Sequence, residues 1–170
     1  MVSPPPVLVV TGVAGAGKTT VGAALAERLG WVFQEGDVFH PAGNVAKMKA
    51  GVALNDADRA PWLAMIGGWI DARAAADEPG VVSCSALKRA YRAALTEGRA
   101  QVKIIYLKGD EALIAKRIAG RSHAYWPSDL LPTQFRDLEP PTADEDVLTV
   151  AIDQSVAAQV EEIVRALGLG

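Results

Sequence analysis

The chain has 170 residues, half of them apolar, and a formal net charge of −3. That length suits one domain with a substantial core, and the composition excludes a disordered chain. The mildly acidic balance argues against a nucleic-acid-coating surface, and no apolar run approaches the ~20 residues of a membrane span. The single cysteine, Cys84, leaves no internal disulfide and fits a reducing compartment. Met1-Val2-Ser3-Pro4-Pro5-Pro6 has neither a basic start nor an apolar leader, so a cytoplasmic protein without nucleic-acid or membrane partners is expected.

Pro4 to Pro6 form a stiff lead-in to Val7-Leu8-Val9-Val10, an apolar run with the character of a buried parallel strand. Gly12-Val13-Ala14-Gly15-Ala16-Gly17-Lys18-Thr19 then matches G-x-x-x-x-G-K-[ST] without a mismatch. Thr20 to Leu29 follows, with Val21, Leu25 and Leu29 four apart on one helical face and Gly30 as the stop. In such a loop, glycines let successive N–H groups curl around phosphate oxygens, and the helix N-terminus adds partial positive charge. Lys18 reaches the β- and γ-phosphates, and the Thr19 hydroxyl can ligate Mg²⁺. The loop therefore predicts nucleoside-triphosphate binding and leaves the fate of the γ-phosphate open.

Trp31 to Gln34 reads as the second strand, followed by Glu35-Gly36-Asp37 and an irregular polar stretch with His40, Asn44, Lys47 and Lys49. Leu54 to Pro61 reads as a helix start with an Asn or Asp cap and Pro in the first turn. The helix runs to about Ala76, with Trp62, Met65, Ile66, Trp69 and Ile70 as a core stripe. Val81 to Cys84 and Val102 to Leu107 are the third and fourth strands. Helices over Leu87 to Leu95 and from Asp110 to Ala119 follow them. Gly120 to Pro127 is a loop, Leu130 to Leu138 a short helix, Val147 to Ile152 the fifth strand, and Ser155 to Leu167 the last helix. Strands alternating with helices predict an α/β fold, a five-stranded parallel sheet covered on both faces, with ligands beyond the carboxyl ends of the strands.

That rule selects the polar residues that matter. Asp37 could accept a hydroxyl proton, hold Mg²⁺ through water, or merely satisfy turn amides. Glu35, two residues earlier and read as pointing the same way, is the other candidate for metal-bound water. Arg59, Lys88, Arg89 and Arg92 are cations that an anionic acceptor would need, or solvated helix faces. Lys116, Arg117, Arg121 and His123 surround Gly120, as a basic loop closing over phosphates would require, or as a helix C-terminus would favour. Asp153 either mimics a strand-ending Mg²⁺ aspartate or caps the last helix. His40 and His123 lack metal-ligand spacing, and one cysteine cannot complete a zinc site.

Further segments share a pattern: Gly36-Asp37-Val38-Phe39-His40-Pro41, Asn44 with Lys47-Met48, Leu54-Asn55-Asp56-Ala57-Asp58-Arg59, Pro61-Trp62-Leu63, Cys84-Ser85-Ala86-Leu87-Lys88, Tyr106-Leu107-Lys108-Gly109 and Thr133-Gln134-Phe135 with Leu138-Glu139. With the phosphate loop, they make the chain resemble bacterial gluconokinases of the small phosphate-loop kinase type, from Val7 to about Ile163. The resemblance implies ATP- and Mg²⁺-dependent phosphorylation of D-gluconate to 6-phosphogluconate by a usually dimeric enzyme. It implies a nucleoside-monophosphate-kinase-like single domain over 1–170, with a substrate-binding region over roughly 37–76 and a lid over roughly 117–135. It assigns catalysis to Lys18, Asp37 and Arg121, and the nucleotide to Gly12, Val13, Ala14, Gly15, Ala16, Gly17, Lys18, Thr19, Thr20, Arg117, Asp153 and Gln154. The sugar acid falls to Asp37, His40, Lys47, Arg59, Ser85, Lys88 and Gln134, and the metal to Thr19 and Glu35. The family usually carries Asp where Glu35 stands, and Arg-x-x-His where this chain reads Arg121-Ser122-His123. Residue pattern alone leaves a shikimate or nucleoside-monophosphate kinase open as the near alternative. A GTP-binding regulatory module is the distant one, and the chain has no Asn-Lys-x-Asp segment to read guanine.

Overall fold

A computed structural model of the chain describes residues 3–119 and 131–170. Five strands, β1 (Val7–Thr11), β2 (Val32–Glu35), β3 (Gly80–Ser83), β4 (Val102–Lys108) and β5 (Val147–Ala151), form one parallel sheet in the order β2-β3-β1-β4-β5. β1 sits at the centre, with every residue buried, as its unbroken apolar run requires. Helices α1 (Lys18–Leu29), α2 (Ala42–Lys49), α3 (Asp56–Ala75), α4 (Arg89–Thr96), α5 (Glu111–Ala119), α6 (Leu131–Asp137) and α7 (Val156–Leu167) surround it.

Strand alternation divides the core in two. Leu8, Val10, Val81, Ile105, Leu107 and Val150 face α1, α5 and α7. Val7, Val9, Val82, Cys84 and Ile104 face α3 and α4. The helix after β1 and the helix after β3 thus cover opposite faces, although β1 and β3 are hydrogen-bonded neighbours. Chain departing to opposite sides opens a crevice at the carboxyl ends of those two strands. Gly12 N–H donates to the Ser85 carbonyl across it at 3.3 Å.

Four local expectations change. The stretch after His40 is not irregular, because Asn44 and Met48, one helical turn apart, are both buried on α2. Glu35 and Asp37 do not share a strand face, because Gly36–Phe39 is a 3₁₀ turn. Pro61 lies inside α3, beyond the first turn. Burial of Trp62, Ile66 and Ile70 outweighs the roughly 3 kcal/mol that an interior proline costs. Met65 leaves the core stripe and is 55% exposed. The cap of α3 is as expected and reciprocal: Asn55 Oδ1 accepts from Asp58 N–H at 2.8 Å, and Asp58 Oδ2 accepts from Asn55 N–H at 3.0 Å. Among the described residues no helix is long and apolar enough to cross a membrane.

Candidate active site

The phosphate loop holds its own shape. Ala16 N–H donates to Val13 O at 3.1 Å, and Lys18 Nζ donates to the same carbonyl at 3.0 Å. Gly15, at φ +81°, needs glycine twice over, since a Cβ there would also lie 2.6 Å from Ile118 Cγ1 of α5. Burial holds the Lys18 ammonium below the usual lysine range, while the Asp37 and then the Glu35 carboxylate pull it back up. Asp37 is therefore within electrostatic reach of the loop lysine although it follows a different strand.

Glu35 ends β2 beside Ser83 in register. Its Oε1 accepts from Ser83 Oγ at 2.6 Å, and its Oε2 accepts from the Thr19 hydroxyl. The register needs Gly36, where a Cβ would lie 1.8 Å from Ser83 O. Thr19 and Glu35 thus bring a hydroxyl and a carboxylate together, the hard oxygen donors Mg²⁺ prefers. Among the described residues no three His, Cys, Asp or Glu side chains converge on a metal position. A cation here would take its remaining ligands from phosphate and water.

A narrow cleft of about 10 Å³, lined by His40, Met48, Arg59, Trp62, Ser85 and Gln134, lies beside the loop. Arg59, 5% exposed, is its buried cation. Its Nη1 donates to Tyr91 Oη at 3.0 Å and its Nη2 to Asp137 Oδ2 at 3.2 Å, so α3, α4 and α6 meet at one guanidinium. Trp62 Nε1 donates to Gly36 O at 2.9 Å and its ring stacks on His40 at 4.3 Å. Gln134 reaches from α6 to the loop, where its Oε1 accepts from Ala14 N–H at 3.2 Å. One side chain therefore touches the phosphate loop and lines the cleft.

Other expected site residues lie apart from this cleft. Lys47 Nζ donates to both oxygens of Asp58, at 3.0 and 2.9 Å, and so braces the α3 cap. Lys88 Nζ donates to Asp56 Oδ1 at 2.9 Å over the Tyr91 ring, next to but outside the cleft lining. Arg117 Nη2 donates to Ile152 O at 2.7 Å, joining α5 to the segment after β5. Asp153 is exposed and lines a cleft of about 610 Å³ with Gly109 and Asp110. It does not cap α7; Ser155 does, its Oγ accepting from Ala158 N–H at 3.1 Å. Gln154 Nε2 bonds Ala151 O and Glu162 Oε1. Arg92 is no outer-face charge: its five donors are spent on Glu145 and the carbonyls of Ala86, Leu87 and Glu139. Arg121 and His123 lie outside the described residues.

Sequence reasoning missed Ser83, Asn44, Trp62, Tyr91 and Asp137 as site residues. Ser83 was discoverable, because parallel pairing of β2 with β3 sets it opposite Glu35. Trp62 gave the apolar signal of a core residue and is one, while a ring face also lines the cleft. Tyr91 and Asp137 carry no local signal, since they matter only through Arg59.

Parallel order β2-β3-β1-β4-β5, the glycine loop after β1 and a cation-lined cleft across the crevice define a phosphate-loop kinase. The AAA domain family matches residues 7–141. The chain is 44% identical over 161 residues to a gluconokinase of Gluconobacter oxydans (strain 621H), covering 95% of this chain and 90% of that protein. It is 39% identical over 165 residues to the thermoresistant gluconokinase of Escherichia coli (strain K12), covering 96% and 94%. A crystal structure of a gluconokinase from Sinorhizobium meliloti 1021 superposes with a TM-score of 0.85 at 43% identity, over 98% of this chain and 94% of that one. A shikimate kinase from Aquifex aeolicus shares the fold alone, at TM-score 0.58 and 14% identity. The chain belongs to the gluconokinase family.

Proposed function

We propose that the chain transfers the γ-phosphoryl group of ATP to D-gluconate, giving 6-phospho-D-gluconate. The observation that carries this reading is Gln134, which joins the phosphate loop to a cleft whose buried cation, Arg59, suits a single carboxylate. Gly12 to Thr20 bind the phosphates, and Lys18 neutralises charge as the γ-phosphoryl leaves. Asp37 takes the proton of the attacking hydroxyl. Thr19 and Glu35 would hold Mg²⁺, whose positive charge would offset that of the phosphates. His40, Arg59, Ser85 and Gln134 orient the sugar acid; Lys47 and Lys88 act behind it, through Asp58 and Asp56. Arg117, Asp153 and Gln154 lie on the nucleotide side, and Arg121 belongs to a lid over roughly 117–135. The substrate region spans roughly 37–76 within one domain, and the enzyme works as a cytoplasmic homodimer.

Orientation carries more of the barrier than the base: holding reactants together supplies ~7–11 kcal/mol, against about 3–5 for a positioned base. The test is ADP release with ATP and Mg²⁺ across D-gluconate, shikimate and nucleoside monophosphates. Stimulation by gluconate alone is expected. Equal or greater stimulation by another acceptor overturns the substrate assignment, and slow acceptor-independent hydrolysis with a guanine preference overturns the kinase reading.

A further inference from the structure

Asn44 is 5% exposed and its amide nitrogen has two neighbours. Nδ2 lies 2.8 Å from the Asp58 carbonyl oxygen and 3.1 Å from His40 Nδ1. A backbone carbonyl only accepts, so the atom facing it must be the amide nitrogen, which settles the orientation of Asn44. One of its hydrogens goes to Asp58 O. The other points at His40 Nδ1, which must then offer a lone pair. A neutral imidazole with a bare Nδ1 carries its proton on Nε2.

Stacking on Trp62, with 13° between planes, holds the ring in its plane, and Trp62 is itself tied to Gly36 O. Turning the ring over in that plane would set Cδ2–H against the Asn44 amide and leave a buried donor unpaired. With Nδ1 turned to α2, the remaining ring edge belongs to the cleft that His40 lines with Arg59, Ser85 and Gln134. The charged groups around the ring favour the neutral form. Arg59 stands in the same cleft, while the Asp58 carboxylate is taken up by Lys47 and by Asn55 N–H. Asp37 meets His40 through its backbone carbonyl, which accepts from His40 N–H at 3.2 Å. Burial, and then the Arg59 charge, bring the imidazole pKa down to about 4.

We propose that Asn44 is a positioning residue that locks His40 as its Nε2–H tautomer, so that His40 gives the sugar acid one uncharged N–H donor while Arg59 supplies positive charge to the cleft. This rests on the gluconate reading above. It makes His40 neither a base nor a second cation. Recognition of the acceptor therefore stays constant in charge across the range where histidines ordinarily titrate.

Histidine-ring ¹⁵N–¹H correlation spectra of the full chain, with His40→Phe to assign the signals, read the tautomer directly. A proton on Nε2 alone, unchanged between about pH 5.5 and 8, is expected. A proton on Nδ1, or titration near about 6.5, overturns the proposal whether or not gluconate is the substrate. Kinetics give the second reading. His40→Phe keeps a ring on Trp62 but loses the donor, and should raise KM for gluconate about tenfold with kcat within about twofold. His40→Gln restores a terminal N–H and should return KM to within about threefold of the parent. An unchanged KM in His40→Phe overturns the donor role. Asn44→Asp places a carboxylate against Nδ1, so its KM for gluconate, and not for ATP, should become pH-dependent between about pH 5.5 and 8. A flat profile there removes Asn44 from the argument. If the parent enzyme releases no ADP in response to gluconate, the substrate reading fails, while the spectra still decide the tautomer.

Discussion

The phosphate loop and the acceptor cleft lie side by side and are built in opposite ways. The loop is eight consecutive residues shaped from within by short bonds, such as Ala16 N–H and Lys18 Nζ to Val13 O, while Gly12, Ala14 and Thr19 tie it to Ser85, Gln134 and Glu35. The cleft draws His40, Arg59, Ser85 and Gln134 from four segments, and its bonds span most of the chain, as between Ala14 and Gln134. A local site keeps its geometry as long as one strand–loop–helix unit stands. A dispersed site depends on how α3, α4 and α6 pack, so its binding and its stability should fail together.

Four substitutions or conditions probe that contrast, the largest effect first. Lys18→Ala should cut kcat by at least about 10³-fold while leaving the thermal midpoint nearly unchanged, because among the described residues its hydrogen bond goes to a loop carbonyl. A loss below about tenfold in a coupled assay would separate the loop from the chemistry. Asp37→Asn should lower kcat by about 10²–10⁴-fold with the same ATP affinity by titration calorimetry; wild-type turnover would remove its role as base.

On the cleft side, Arg59→Met should raise KM for gluconate about a hundredfold and also destabilise the chain by about 3 kcal/mol, since Asp137 loses its buried partner, the two side chains being only 7% and 16% exposed, and keeps only the exposed Arg136 at 3.5 Å. Adding Asp137→Asn should recover most of the stability in denaturant titrations and none of the KM. Recovery of both would make Arg59 a structural residue only. The smallest effect concerns pH. The His40 pKa falls from about 6.5 unfolded to about 4 folded, so between those values the unfolded chain binds more protons. The contribution of His40 is then fully present above about pH 6.5 and is lost as pH drops toward 4. Denaturant midpoints for His40→Phe should show a shallower fall over that window; an identical fall would assign the slope to other groups.

A similar contrast separates the paired cations. Arg92 reads as an outer-face charge because its helix is alanine-rich, yet it is buried and fastens Glu145 and Glu139 to Ala86 and Leu87, in the segment after β3. Lys47 and Lys88, expected at the sugar acid, pair with Asp58 and Asp56 at the start of α3. Charge type was legible in each case, but the partner was not, because ion pairing is decided by which carboxylate the fold brings within about 4 Å.

By itself the sequence determined the five-strand alternation, the phosphate loop, an Asn or Asp cap at the start of the long helix and the identity of the residues that could do chemistry. Each follows from neighbours a few positions apart, where periodicity, capping and glycine conformations act. Only the tertiary structure decided that Glu35 meets Thr19 through the β2–β3 register, that Gln134 spans loop and cleft, and that Asn44 chooses the protonated nitrogen of His40. Those are contacts between distant segments, and their geometry is set by the packing of helices on a twisted sheet, which no local pattern encodes.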